Sequence, residues 1–136
     1  MKRQNISSGS PYEPVIGFSR AVRIGNTIAI SGTAPIGADG KTTGVGDVAA
    51  QTRRCCAIAA EVLAKAGGSL TDVIRTRMFL TRAEDWEAAG KAHGESFGAI
   101  RPASTMVVVK ALLNAEWLIE MEFDAIVGDQ EGSDEA

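Results

Sequence analysis

The sequence predicts an α+β domain: a single mixed sheet with two helices on one of its faces, in the order ββαβαββ. Three observations carry this. Two windows, "VAAQTRRCCAIAAEVLAKAG" and "AEDWEAAGKAHGESFG", show apolar residues at helical spacing. Each is followed by a strand-like stretch, "DVIRTRMFLT" and "STMVVVKALL". Three more such runs stand outside the helices, two in "FSRAVRIGNTIAISG" and one in "WLIEMEFDAIV". A helix followed by a strand, twice over, suits a layer in which both helices cover the same side of one sheet. The opposite face is then either wet or covered by a second subunit.

The 136 residues suit one domain with its own core. We expect that domain to span residues 1–128, with the acidic stretch 129–136 as a disordered tail. Aromatics make up only 5% of the chain, so the core should be mainly aliphatic. The net charge of −3 comes largely from the tail, which leaves the body close to neutral. A near-neutral body lacks the basic face that nucleic-acid binding normally requires. No apolar run reaches membrane-spanning length, and "MKRQNISSGS" lacks the apolar region of a secretory signal. A cytoplasmic location is the expectation. Adjacent Cys55 and Cys56 lack zinc-site spacing and cannot staple distant segments, so they read as reduced core residues.

The first eighteen residues, with Pro11 and Pro14, read as irregular. Gly25-Asn26 marks a tight turn between two strands. Asp47 can cap the first helix, which places Cys55, Ile58, Ala59, Val62 and Ala66 on one stripe and stops at Gly67-Gly68. Thr81 and Glu84 form a capping-box pattern for the second helix, on which Trp86, Gly90, His93 and Phe97 share a face. Trp86 and His93 therefore read as packed against the sheet.

Strand alternation assigns the two faces. In "VIRTRMFL", Ile74, Met78 and Leu80 should face the helices, and Arg75, Arg77 and Phe79 the other side. In "WLIEMEFDAI", Trp117, Ile119, Met121 and Phe123 should face the helices, leaving Glu120, Glu122 and Asp124 opposite. The bare face thus carries arginines on one strand and carboxylates on another. Salt bridges are one reading; a pocket where an arginine holds a substrate carboxylate and a glutamate manages a proton or water is the other.

Taken in order, "GFSRAV", "IAISGTAP", "DVAAQTRRCCAIAAEVLAKAGGSLTDVIRTRMFLT", "RPASTMVVV" and "LIEMEFDAIV" resemble the RidA (YjgF) family. The resemblance implies a chorismate-mutase-like fold, a homotrimer with ligand clefts between subunits, and hydrolysis of enamines or imines to carbonyl compounds and ammonia without metal or cofactor. Glu120 matches the family's water-positioning glutamate, Phe18 replaces a tyrosine, and Ser31-Gly32-Thr33 stands where the family has "SGQ". Ser104 replaces the arginine that clamps the substrate carboxylate in RidA-type deaminases. The chain therefore resembles an arginine-lacking branch of the family.

The expected site has Glu120 as the catalytic group, with Arg77, Ser104, Thr105, Phe18, Gly32, Thr33 and Arg101 around the ligand. Arg77 is the first candidate for the anion, or else pairs with Glu120 or Glu122. Arg101 is the second, or else contacts a loop or solvent. Ser104 and Thr105 can offer hydroxyl and backbone donors, or simply begin a strand. The partners implied are a small metabolite, with a carboxylate among the candidates, and two further copies of the chain. A non-catalytic metabolite-binding trimer is the alternative function, and an endoribonuclease the third.

Overall fold

The computed structural model describes residues 1–128; the acidic stretch 129–136, expected to be a disordered tail, lies outside the described residues. Six strands form one sheet: β1 Arg3–Ile6, β2 Ala21–Ile24, β3 Thr27–Thr33, β4 Val73–Leu80, β5 Ala103–Val108 and β6 Ile119–Ile126. Helix α1 spans Val48–Lys65 and helix α2 spans Trp86–Phe97. The spatial order is β1-β2-β3-β6-β4-β5, antiparallel throughout except for the parallel pair β4–β5. The α+β layer expected from the sequence is therefore present, with one added strand.

That strand corrects the reading of the N-terminus as irregular. Residues 3–6 pair with β2, and a wide helical turn over Glu13–Gly17 closes with Phe18 N donating to Glu13 O at 3.0 Å. The prolines limit the extent of regular structure here without abolishing it, because Pro11 and Pro14 lie outside β1.

Local signals set the other boundaries. The β2–β3 hairpin turns at Gly25, whose φ of 59° is the left-handed conformation glycine adopts at no steric cost. Asp47 caps α1 by accepting from Ala50 N at 3.1 Å. Gly67 (φ 86°) ends it, with Gly68 N reaching back to Leu63 O at 2.7 Å. The capping box expected at Thr81–Glu84 does not form. Arg82 instead pairs with Asp85 at 2.9 Å around a short 3-10 turn, Ala83–Asp85, from which α2 continues.

Both helices cover one face. Cys55, Ala59, Val62 and Leu63 of α1 and Ala89 and Phe97 of α2 pack with Ile28, Ile30, Met78, Leu80, Ile119, Met121 and Phe123 in one core. Alternation held on β6 for Ile119, Met121 and Phe123. On β4 it failed at Ile74, which is 48% exposed because the register shifts between Val73 and Arg75. Val73, 3% exposed, takes the buried position instead, and the inward phase resumes at Thr76. Trp86, expected in the core, is 58% exposed, since it opens α2 at the rim of the sheet. Trp117 precedes β6 in the 109–118 loop and belongs to a cleft described below.

Candidate functional site

The chain builds its site around an irregularity in β3. Regular pairing with β6 runs to Ile30–Phe123 and resumes at Thr33–Met121, so Ser31 and Gly32 bulge out of register. Glu120, on the helix-free face of β6, lays its carboxylate over Gly32. A Cβ on Gly32 would sit 3.2 Å from the Glu120 carboxyl carbon and collide with its oxygen. The glycine is required for this close approach, not for its backbone angle.

Phe18, Arg20, Ser31, Gly32, Trp117 and Glu120 line an open cleft of about 1420 Å³, which extends around β3 to Ile58 of α1. Burial raises the Glu120 carboxyl above its ordinary value; Arg20 opposes the rise and Glu122 adds to it. Such a carboxyl keeps its proton to higher pH than an exposed one, which suits a group that passes a proton to and fro.

The N-terminal segment is fixed beside this carboxyl. Glu13 accepts from the Ser8 hydroxyl at 2.6 Å and from the Ser8 N–H at 2.9 Å. These bonds pull its carboxyl down to about 2, so it stays ionised. Ser31 Oγ donates to Ser19 O at 2.6 Å, tying β3 to the Phe18–Arg20 wall. Arg20 donates from Nη2 to Gly32 O.

The residues singled out in the sequence divide into two groups. Phe18, Gly32, Thr33 and Glu120 come together at the cleft, with the Thr33 hydroxyl donating to Ser31 O at 2.9 Å. Arg77, Arg101, Ser104 and Thr105 lie towards the far edge of the sheet, on β4, β5 and the corner between α2 and β5. Arg77 is on the same face as Glu120 but pairs with Asp124 at 3.0 Å and Glu122 at 3.6 Å. Arg101 is exposed at a left-handed corner (φ 57°) before Pro102. Thr105 stands opposite Arg77 on the outer strand.

Ser104 turns to the helix side. Thr76 Oγ1 lies 2.7 Å from Ser104 Oγ and 2.8 Å from His93 Nε2. His93 also stacks on Phe97 with ring centroids 4.7 Å apart, and burial lowers its pKa. This is a packed, hydrogen-bonded histidine away from the cleft. Cys55 and Cys56 are buried and free, and burial pushes both thiols up, Cys56 to about 11. Among the described residues no cluster of three His, Cys, Asp or Glu side chains offers a metal site. No helix in the described residues is long and apolar enough to cross a membrane.

Trp117 and Arg20 are among the cleft residues that escaped the sequence reading. Trp117 was counted with the helix-facing stripe of β6, which in fact begins two residues later. Arg20 has the opposite parity to buried Ala21, and that was the available signal for its placement on the bare side.

A six-stranded mixed sheet with two helices on one face and a carboxylate-bearing cleft beside a β3 irregularity defines a small two-layer protein of the chorismate-mutase-like class. Residues 9–127 match the family model described as Endoribonuclease L-PSP. Among curated relatives, a Streptomyces coelicolor protein described as uncharacterized is 36% identical over 125 residues, covering 92% of each chain. The 3-aminoacrylate deaminase RutC of Acinetobacter baylyi is 34% identical over 116 residues, covering 85% of this chain and 90% of its own. Among solved structures, a Mycobacterium tuberculosis member of the YjgF/YER057c/UK114 family superposes with a TM-score of 0.84 at 41% identity, over 93% of this chain and all of that one. The chain belongs to this family, also called RidA/YjgF.

Proposed function

We propose that the protein binds a small carbonyl-type metabolite in the Glu120 cleft and hydrolyses an enamine or imine there to a carbonyl compound and ammonia. The observation that carries this is the Glu120 carboxyl, laid over Gly32 inside a cleft and raised by burial. The naming of a 34%-identical relative as a 3-aminoacrylate deaminase supports the same chemistry. Once protonated, an imine is already electrophilic at carbon, so the protein has to orient it, hold one water and handle one proton. Glu120 accepts a proton from the attacking water, giving a carbinolamine. The same proton, returned to nitrogen, lets the C–N bond break; as ammonia leaves, the carbinolamine hydroxyl gives its proton to Glu120 and its oxygen becomes the carbonyl. No metal or cofactor is needed to balance these steps.

The working form in this proposal is a homotrimer. The outer edge of β5 has no strand partner among the described residues, and Val107 and Val108 are 42% and 52% exposed on it. In a trimer that edge, with Arg101, Ser104 and Thr105, would close the open side of a neighbouring cleft. A non-catalytic metabolite-binding trimer is the second reading, favoured by the engagement of Ser104 with Thr76. Incubating the protein with a panel of imines generated in situ and measuring ammonia tests the proposal. Turnover that is lost in Glu120→Ala supports it. Ligand-dependent thermal shifts with no turnover across the panel favour the second reading.

A further inference from the structure

Resting on the cleft reading just given, we infer that the lobe of the cleft beside α1 is a second subsite, where Arg54 holds the far carboxylate of an elongated ligand whose carbonyl or imine end lies at Glu120. The ligand class is linear oxo or imino compounds that end in an acid group. A small-molecule pocket usually offers about 300–1,000 Å³. This cleft offers about 1420 Å³, more than a small metabolite fills. The part remote from Glu120 runs along α1. Arg54, Ile58, Glu61 and Lys65 recur there at helical spacing and line it together with Ile36 and Thr42 of the loop after β3.

Arg54 is half-buried, and its side chain is already held in position. Its Nε donates to Ile36 O at 2.7 Å, and that part of the loop is fixed by an Ile36–Thr42 bridge and by Gly37 N donating to Lys41 O at 2.7 Å. The two Nη groups make no hydrogen bond or ion pair among the described residues. Neighbouring Arg53, by contrast, commits Nε and Nη2 to Glu95. Asp39, the acidic residue of the loop, accepts from Lys41 N at 3.0 Å. With Nε engaged, the paired Nη groups present an end-on fork that matches both oxygens of a carboxylate. A side chain held in advance also loses less entropy on meeting its ligand. Between the polar ends the walls are apolar: Ile36 is 39% exposed, and Ile58 packs its inner side on the core. Lys65 fits the role less well, being exposed with Glu61 one turn away. Gly32, under Glu120, and Ile36, under Arg54, are four residues apart, which separates these two anchor points by at most about 14 Å. The opposite charges of Glu120 and Arg54 both act on the Cys55 thiol, which donates to Thr33 O at 3.3 Å, so both ends of the cleft face the same short stretch of chain.

The diacids 2-oxoadipate and 2-oxosuberate, each paired with the monoacid of equal length, 2-oxohexanoate or 2-oxooctanoate, isolate the far group. Both members of a pair carry the same oxo-acid head, so whatever holds that head cancels. Titration calorimetry on the full chain should show the wild type binding at least one diacid roughly five- to tenfold more tightly than its monoacid. Arg54→Gln should abolish that preference and leave monoacid affinity unchanged, and Arg54→Lys should restore part of it. Arg53→Gln, which removes the same charge one residue away, should keep the preference. A wild type with no diacid preference in either pair, or one that binds none of the four compounds, overturns the inference, and that comparison needs no variant to fold. So does a preference that survives in folded Arg54→Gln. Ammonia release from short imines alongside no diacid preference removes the subsite and leaves the proposed hydrolysis standing. Diacid preference that depends on Arg54 in a protein without turnover supports the subsite while the hydrolysis fails.

Discussion

Replacing Gly32 with alanine tests whether this glycine exists to admit Glu120. Gly32 is not among the positive-φ residues, so its backbone accepts alanine without left-handed strain. The added methyl overlaps the Glu120 carboxylate, its carboxyl carbon 3.2 Å away and its Cγ 3.7 Å away. Overpacking a rigid neighbour costs about 1–3 kcal/mol. Here the obstacle is the far end of a flexible side chain facing an open cleft, so the carboxylate swings aside and the loss should stay under about 1 kcal/mol. Displacing a reacting group by about 1 Å can cost roughly 100-fold in rate, so ammonia release should fall far more than stability. In Glu120→Ala the three atoms nearest that methyl are gone, so adding Gly32→Ala should cost little more. Urea unfolding of the wild type, both single variants and the double variant closes this cycle. Equal destabilisation by Gly32→Ala in both backgrounds would refute the reasoning, because the glycine would then serve the strand rather than the carboxylate.

Other outcomes follow from the same geometry. Because the Glu120 pKa is raised in the fold by burial, its protonated form is the more stable one in place; the stability this contributes is present below its unfolded value and disappears as pH rises through the folded value. Glu120→Gln should therefore stabilise the fold at pH 7 and lose that advantage at pH 4 in urea titrations. Glu13 has the opposite sign: its carboxyl, lowered from 4.5 to about 2 by the Ser8 bonds, contributes above 4.5 and loses that contribution as pH falls through about 2. Glu13→Gln should destabilise at pH 7 and match the wild type near the bottom of that window. Thr76→Val removes the buried hydroxyl that meets half-buried His93 Nε2 and exposed Ser104 Oγ, and should cost about 0.5–1.5 kcal/mol by denaturant unfolding. With both thiols buried and raised, Cys55 and Cys56 should resist iodoacetamide at pH 8 in the folded protein and react once it is unfolded in urea.

What the sequence made legible was what periodicity encodes. Helical spacing located α1 and α2, and alternation on β6 separated Ile119, Met121 and Phe123 from the carboxylates. It erred where the chain leaves its period. The shift between Val73 and Arg75 expelled Ile74, and the one between Ile30 and Thr33 created the seat for Glu120. A bulge is one residue of irregularity and leaves no periodic trace. Trp86 misled because its helical phase points inward, although its place at the start of α2 leaves it over solvent. Glu120, Gly32 and Phe18 were legible as site candidates through the resemblance to known RidA proteins. Arg20 was not, since a lone arginine ahead of a strand carries no chemical signature until the fold sets it in the cleft with Glu120.

The reaction itself offers the most direct test of the central claim. Ammonia release from an imine generated in situ should be measured for wild type and Glu120→Gln side by side, with melting curves confirming that both are folded. A general acid–base role predicts a fall of roughly 100- to 10,000-fold in the variant. Equal ammonia release from the two proteins would contradict it.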